Sequence, residues 1–136
     1  MLKAIQVMRA KALAARGDHQ GAARAYLKAG DDAAAAAMYL KAGEHELARI
    51  HFEKAGDTAM ALEAARAAGD HRSMAEMYGQ RGDVAAAVQC LLRANDVQGA
   101  VRLCLDRGLK TDAAEIYIER GQKREAARLL AEARHF

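Results

Sequence analysis

Apolar residues in this chain fall in short clusters, and a regularly spaced glycine or asparagine separates each cluster from the next. The separators are Gly17, Gly30, Gly43, Gly56, Gly69, Gly82, Asn95, Gly108 and Gly121, each 13 positions after the last. Counting onward from each, the fifth residue is Ala22, Ala35, Ala48, Ala61, Met74, Ala87, Ala100, Ala113 or Ala126. The ninth is Tyr26, Tyr39, Phe52, Ala65, Tyr78, Leu91, Cys104, Tyr117 or Leu130, a register that holds all four tyrosines. Positions five and nine lie one helical turn apart, on the same face as an apolar eighth position such as Met38, Met77 or Ile116. Each unit therefore predicts one short helix with a small residue beside a large one. Helices this short are marginal alone and need neighbours on both sides.

The punctuation between clusters fixes where each helix stops and the next begins. Glycine is the residue best suited to a left-handed backbone at a helix end, and asparagine is the next best, so Asn95 fits the series. An acid follows most separators: Asp18, Asp31, Glu44, Asp57, Asp70, Asp83 and Asp96. Aspartate there is a good N-cap for the following helix. Lys28, Lys41, Lys54, Arg81, Arg93, Arg107 and Arg120 sit one or two positions before a separator. Acid at each start and base at each finish complement the helix dipole. The predicted helix is about eleven residues, roughly 16 Å, long.

Connections this short force consecutive helices to run antiparallel. The expected architecture is all-α, a solenoid of about ten short helices with a 13-residue helix repeat and a 26-residue hairpin repeat. It forms a single repeat domain over residues 1–136. His19, His45 and His71 follow the longer period. The third position alternates between Ala33, Ala59, Ala85 and Thr111 on one helix class and Gln20, Glu46, Arg72, Gln98 and Arg124 on the other. On the argument that small residues belong where helices crowd, the helices beginning at Asp31, Asp57, Asp83 and Leu109 are expected in the inner layer.

Tyr-Leu-Lys-Ala-Gly-Asp, followed by alanine four residues later and an aromatic four beyond that, resembles the tetratricopeptide-like α-solenoids. It resembles especially the short-helix repeats of intraflagellar transport and vesicle-coat subunits. Residues 25–43, AYLKAGDDAAAAAMYLKAG, carry the resemblance most clearly. The helices are shorter than those of the standard tetratricopeptide unit, and its consensus Trp, Pro and paired Leu-Gly are missing. The resemblance implies a right-handed superhelix used for protein–protein contact.

Composition narrows the function classes. Aromatics are only 4% and proline is absent, as suits an alanine-rich, nearly all-helical chain. The net charge of +3 comes from interspersed acids and bases, too mild a balance to argue for nucleic acid by itself. No apolar run is long enough to span a membrane, so no membrane insertion is expected. The N-terminal MLKAIQVMRAKALAARGD lacks the uninterrupted apolar stretch of a signal peptide. Two cysteines, Cys90 and Cys104, lie within apolar helix patterns and read as small buried residues, with a reducing cytoplasm as the expected compartment.

Candidate chemistry is sparse. Glu44-His45-Glu46-Leu47-Ala48-Arg49 begins like a zincin helix, but arginine stands where the second histidine ligand is required. His51 falls on a different helical face from His45. The histidine ladder His19, His45 and His71 reads as three exposed first-turn positions, spaced too widely to share a metal ion. The Gly-Asp turns recur along the chain and are caps, not phosphate cradles. No catalytic residue, metal or cofactor is expected, and an enzyme is the least supported reading.

Basic residues offer the one candidate binding surface. Lys3, Arg9, Lys11 and Arg16 precede any acid in the chain, and Arg24, Arg72, Arg102, Arg124 and Arg128 occupy polar third and seventh positions of the other layer. Glu63 and Glu115 take the seventh position on inner helices. The leading expectation is a scaffold whose basic stripe meets a protein or peptide partner. A nucleic-acid-binding solenoid is the second reading, weakened because no aromatics interleave the stripe for base stacking. The third is a self-assembling module. Leu2, Ile5, Val7, Met8 and Leu13 at one end, and Leu129, Leu130 and Phe136 at the other, are not polar caps. That pattern predicts a segment of a longer protein or end-to-end self-association.

Overall fold

The computed structural model describes residues 2–134, with side chains through Glu132; Met1, His135 and Phe136 lie outside the described residues. The described chain is an all-α solenoid of ten helices. They are α1 (Leu2–Ala15), α2 (His19–Lys28), α3 (Asp32–Lys41), α4 (His45–Lys54) and α5 (Thr58–Ala68), then α6 (His71–Gln80), α7 (Val84–Arg93), α8 (Val97–Asp106), α9 (Lys110–Glu119) and α10 (Lys123–Arg134). Most are ten residues long, about 15 Å, slightly shorter than the spacing of the caps predicts. The helices gather into two compact units, one ending at Asp70 and one starting at His71. Within each unit the packing runs from every helix to the next in sequence: α1 to α5 in the first, α6 to α10 in the second.

Every separator is a left-handed hinge. Gly17, Gly30, Gly43, Gly56, Gly69, Gly82, Gly108 and Gly121 have positive φ, and Asn95, at 60°, is the only non-glycine among the described residues that does. Gly21, Gly79 and Gly99, outside the 13-residue series, do not. At Gly30 the backbone N–H bonds to the Leu27 carbonyl (2.9 Å), and that of Asp31 reaches back to the Tyr26 carbonyl (3.0 Å). This six-residue closure satisfies carbonyls that the helix end would leave without a partner. It recurs through Asp57 to Phe52, Asp83 to Tyr78, Asp96 to Leu91 and Gln122 to Tyr117.

The residue after the hinge then serves the next helix. The Asp31 carboxylate accepts from the Ala34 N–H at 3.0 Å, and Asp18, Asp57, Asp83 and Asp96 do the same for Gly21, Met60, Ala86 and Gly99. One residue therefore closes the outgoing helix with its backbone and caps the incoming one with its side chain. Each such cap contributes about 1 kcal/mol. Glu44 departs from this pattern. One methylene longer, it makes no capping bond and instead accepts from Gln20 Nε2 at 2.8 Å, tying the start of α2 to the start of α4.

The core is built from small residues. Ala22, Ala35, Ala48, Ala61, Ala87, Ala100 and Ala113 expose no surface at all, and Cys104 is the largest completely buried side chain among the described residues. Close approach of backbones, with larger ninth-position residues such as Phe52 and Tyr117 filling the gaps, replaces the interlocking of bulky side chains. The sixth position is buried as well, at Ala23, Ala36, Leu62, Ala75, Val101 and Ala114. The third position differs from the crowding argument: Ala33, Ala59, Ala85 and Thr111 are exposed, as are Gln20, Glu46, Arg72, Gln98 and Arg124. Crowding therefore does not explain why small residues alternate with long ones there. Leu130, in the ninth register, is also exposed.

Candidate binding surfaces

The two compact units hold the candidate arginines separately: Arg24 in the first, and Arg72, Arg102, Arg124 and Arg128 in the second. All five are exposed. Arg24, on α2, lines a cavity of about 190 Å³ with Arg9 of α1 and Lys28, walled by Gln6, Leu13 and Ala25. Arg24 thus joins a base from the acid-free first helix and another from its own last turn. Asp18, capping α2, is the one acid on the rim.

Arg72, in the first turn of α6, extends toward Asp96 at 3.9 Å with its side chain 71% exposed. At that distance and exposure the pair contributes little to stability. Arg72 and Asp96 border a cavity of about 340 Å³ between α6 and α8, floored by Ala75, Gly79, Leu91 and Leu103. Gly79 lies within a helix, and a Cβ added there would meet nothing within 4 Å, so its small size leaves the cavity open. Arg102 on α8 and Arg124 and Arg128 on α10 take part in no ion pair among the described residues.

A third cavity was not anticipated from the sequence. It measures about 280 Å³ and lies between α7 and α9 over Cys104 of α8. Val84, Val88 and Leu92 recur at four-residue spacing along α7 and form an apolar wall. Asp112, Glu115 and Glu119, at three- and four-residue spacing on α9, form an acidic wall, with Ile116 beside them. No lysine or arginine lines this groove. None of its three acids is in an ion pair among the described residues. Arg120 Nη2 approaches the Leu92 carbonyl at 3.4 Å, joining the C-terminal ends of α9 and α7. Both helical spacings were present in the sequence. What the sequence did not show was that the two stripes face each other, because that depends on how α8 separates its neighbours.

Cys104 forms the groove floor, and neither it nor Cys90, which is also buried, is in a disulfide. Burial pushes the Cys104 thiol above its ordinary pKa, and the nearby Asp112 carboxylate adds to the effect. Both causes disfavour the thiolate, the reverse of what an activated nucleophile requires. As this raised pKa belongs to the folded state, its stabilising contribution is complete below the ordinary thiol pKa and is lost as pH rises through the folded value.

Arg49, which stands where a zincin would carry its second histidine, has structural partners. Arg49 Nη1 bonds Glu53 Oε1 at 2.9 Å, and its Nε lies 3.9 Å from Asp70 Oδ2, an ion pair too long to be a hydrogen bond. His51 is buried, its Nδ1 3.0 Å from Asp32 Oδ1 and its ring stacked on Tyr39 with centroids 5.6 Å apart. The histidine ladder occupies the first residue of α2, α4 and α6, where each Nδ1 is turned inward without a hydrogen-bond partner. No group of three or more His, Cys, Asp or Glu side chains among the described residues is placed to hold a metal ion. No described helix is long and apolar enough to cross a membrane.

No protein-family model matches the chain, and no curated protein aligns with it.

Proposed function

We propose that this chain is a non-enzymatic, tetratricopeptide-like scaffold that captures protein or peptide partners. The observation that carries the reading is the division of labour within each unit. Hinge, cap and alanine contact repeat from helix to helix, while charge varies at exposed third and seventh positions. Repetition of this kind gives extended surfaces in place of a unique pocket. The exposed Arg102, Arg124 and Arg128 and the basic cavity at Arg9, Arg24 and Lys28 suit acidic segments of a partner. Such contacts set specificity and association rate more than raw affinity.

The test is fluorescence polarisation with a Glu-rich peptide and, in parallel, a single-stranded oligonucleotide over a range of salt. The peptide is expected to bind, with affinity about tenfold lower when Arg102, Arg124 and Arg128 are all replaced by glutamate and the helical circular dichroism is unchanged. Retention of the oligonucleotide alone, with a steep salt dependence, would instead establish the nucleic-acid reading. Self-association has a specific observation in its favour. Among the described residues the three most exposed large apolar ones, Leu2 (78%), Met8 (71%) and Ile5 (57%), all lie on α1.

A further inference from the structure

We infer that the groove between α7 and α9 is a docking site for a basic segment of a partner protein, anchored by an aliphatic side chain. The inference rests on the scaffold reading and assigns it a second surface, opposite in charge to the arginines. The groove is asymmetric. Val84, Val88 and Leu92 offer one wall to an apolar side chain, while Asp112, Glu115 and Glu119 offer the other to cations. Its volume of about 280 Å³ is just below the range typical of small-molecule sites, roughly 300–1,000 Å³. That volume fits the anchoring side chain of a peptide.

Charge selects the occupant. Three carboxylates face the groove with no lysine or arginine on its lining, so phosphates and acidic peptides are repelled there. The outer two lie seven positions apart on α9, about 10 Å along the helix axis. The matching partner carries lysine or arginine over the same distance, beside a leucine, isoleucine or methionine that enters between Val88 and Cys104. Cys104 suits that floor, since burial keeps its thiol neutral and apolar in character. Arg120, joined to the Leu92 carbonyl, marks one end of the groove and places a like charge against a cation bound too far along it.

One other occupant is visible in the chain. α1 is itself basic and carries Leu2, Ile5 and Met8 exposed, so a second copy could offer the same chemistry.

The experiment uses the whole chain and two labelled synthetic peptides that share a leucine framework, one with lysine and one with glutamate between the leucines. Binding is read by polarisation at low and high salt, and sedimentation velocity of the chain alone is run over a concentration series. The proposal expects the lysine peptide to bind at least about tenfold more tightly than the glutamate peptide, and more weakly as salt rises. In the D112N/E115Q/E119Q variant that preference should vanish, while the circular dichroism and the binding of the Glu-rich peptide at the arginine surface persist. Equal affinity for both peptides, or an unchanged preference in the triple variant, overturns the groove and leaves the arginine surface to be judged by its own titration. Self-association that the triple variant abolishes would assign the groove to a second copy and overturn the partner proposal.

Discussion

Replacing Ala113 by leucine is expected to lower the melting temperature by about 10 °C or more, through a loss of about 3 kcal/mol. Ala113, on α9, exposes no surface and belongs to one buried cluster with Ala100, Cys104, Ala126 and Leu129 of the flanking helices. The space between α8, α9 and α10 is set by contact at alanines, so three extra carbons can fit only if the helices move apart. Overpacking usually costs about 1–3 kcal/mol, and contact at alanines on both flanking helices puts this site at the upper end. A unit of this size has on the order of 3–10 kcal/mol in total, so the loss is a large share. Ala67→Leu, on the exposed side of α5, adds the same atoms and is expected to leave the melting temperature within about 2 °C. Differential scanning calorimetry of the two variants makes the comparison.

The second large effect belongs to the hinges. Gly30→Ala is expected to cost about 1 kcal/mol and Gly30→Val about 2 kcal/mol. The reason is conformational. A Cβ at Gly30 would meet nothing within 4 Å, yet the residue has a φ of 79°. Only the backbone preference of L-residues opposes the change, so the penalty should follow branching at Cβ and not side-chain volume. Asn95, at a φ of 60°, provides the reciprocal case. Asn95→Gly is expected to change stability by no more than about 0.5 kcal/mol, whereas Asn95→Val should cost about 2 kcal/mol. Urea denaturation of the four variants gives the series; equal stability of Gly30→Ala and Gly30→Val would show that something other than φ sets the cost.

These effects indicate which features of the fold the sequence could reveal. The hinges were legible because a left-handed backbone restricts residue choice so severely that the restriction appears as a 13-residue rhythm. The buried fifth position was legible for a related reason: alanine fills it in every unit but one, where the larger Met74 is buried instead. Features set by contact between different helices were not legible. The sixth position is buried in six units, yet it holds residues as different as Ala23 and Leu62 there and a half-buried Arg49 in α4, so no pattern marks it. Arg49 reads as a failed zinc ligand, and its link to Asp70 becomes visible only when α4 lies beside the end of α5. Glu44 reads as a cap and instead reaches across to Gln20.

The same distinction governs the candidate surfaces. Exposure of Arg24, Arg72, Arg102, Arg124 and Arg128 follows from their registers, and all five are exposed. Which of them have neighbours does not follow from register. Arg24 joins Arg9 and Lys28 because α1 lies along α2, and Arg72 meets Asp96 because α6 and α8 both flank α7. The acidic groove is the clearest case. Its two stripes are ordinary amphipathic spacings on separate helices, and they form a site only because α8, with Cys104 at the groove floor, holds them apart.

The whole fold depends on short helices that reverse direction at left-handed residues every 13 positions. Backbone NMR assignment, with secondary chemical shifts and the scalar couplings that report φ, tests it most directly. Helical shifts are expected across α2 and α3, broken between Lys28 and Asp32, with positive φ at Gly30 and at the other eight hinges. Unbroken helical shifts through residues 28–34, or strand shifts in that stretch, would contradict it.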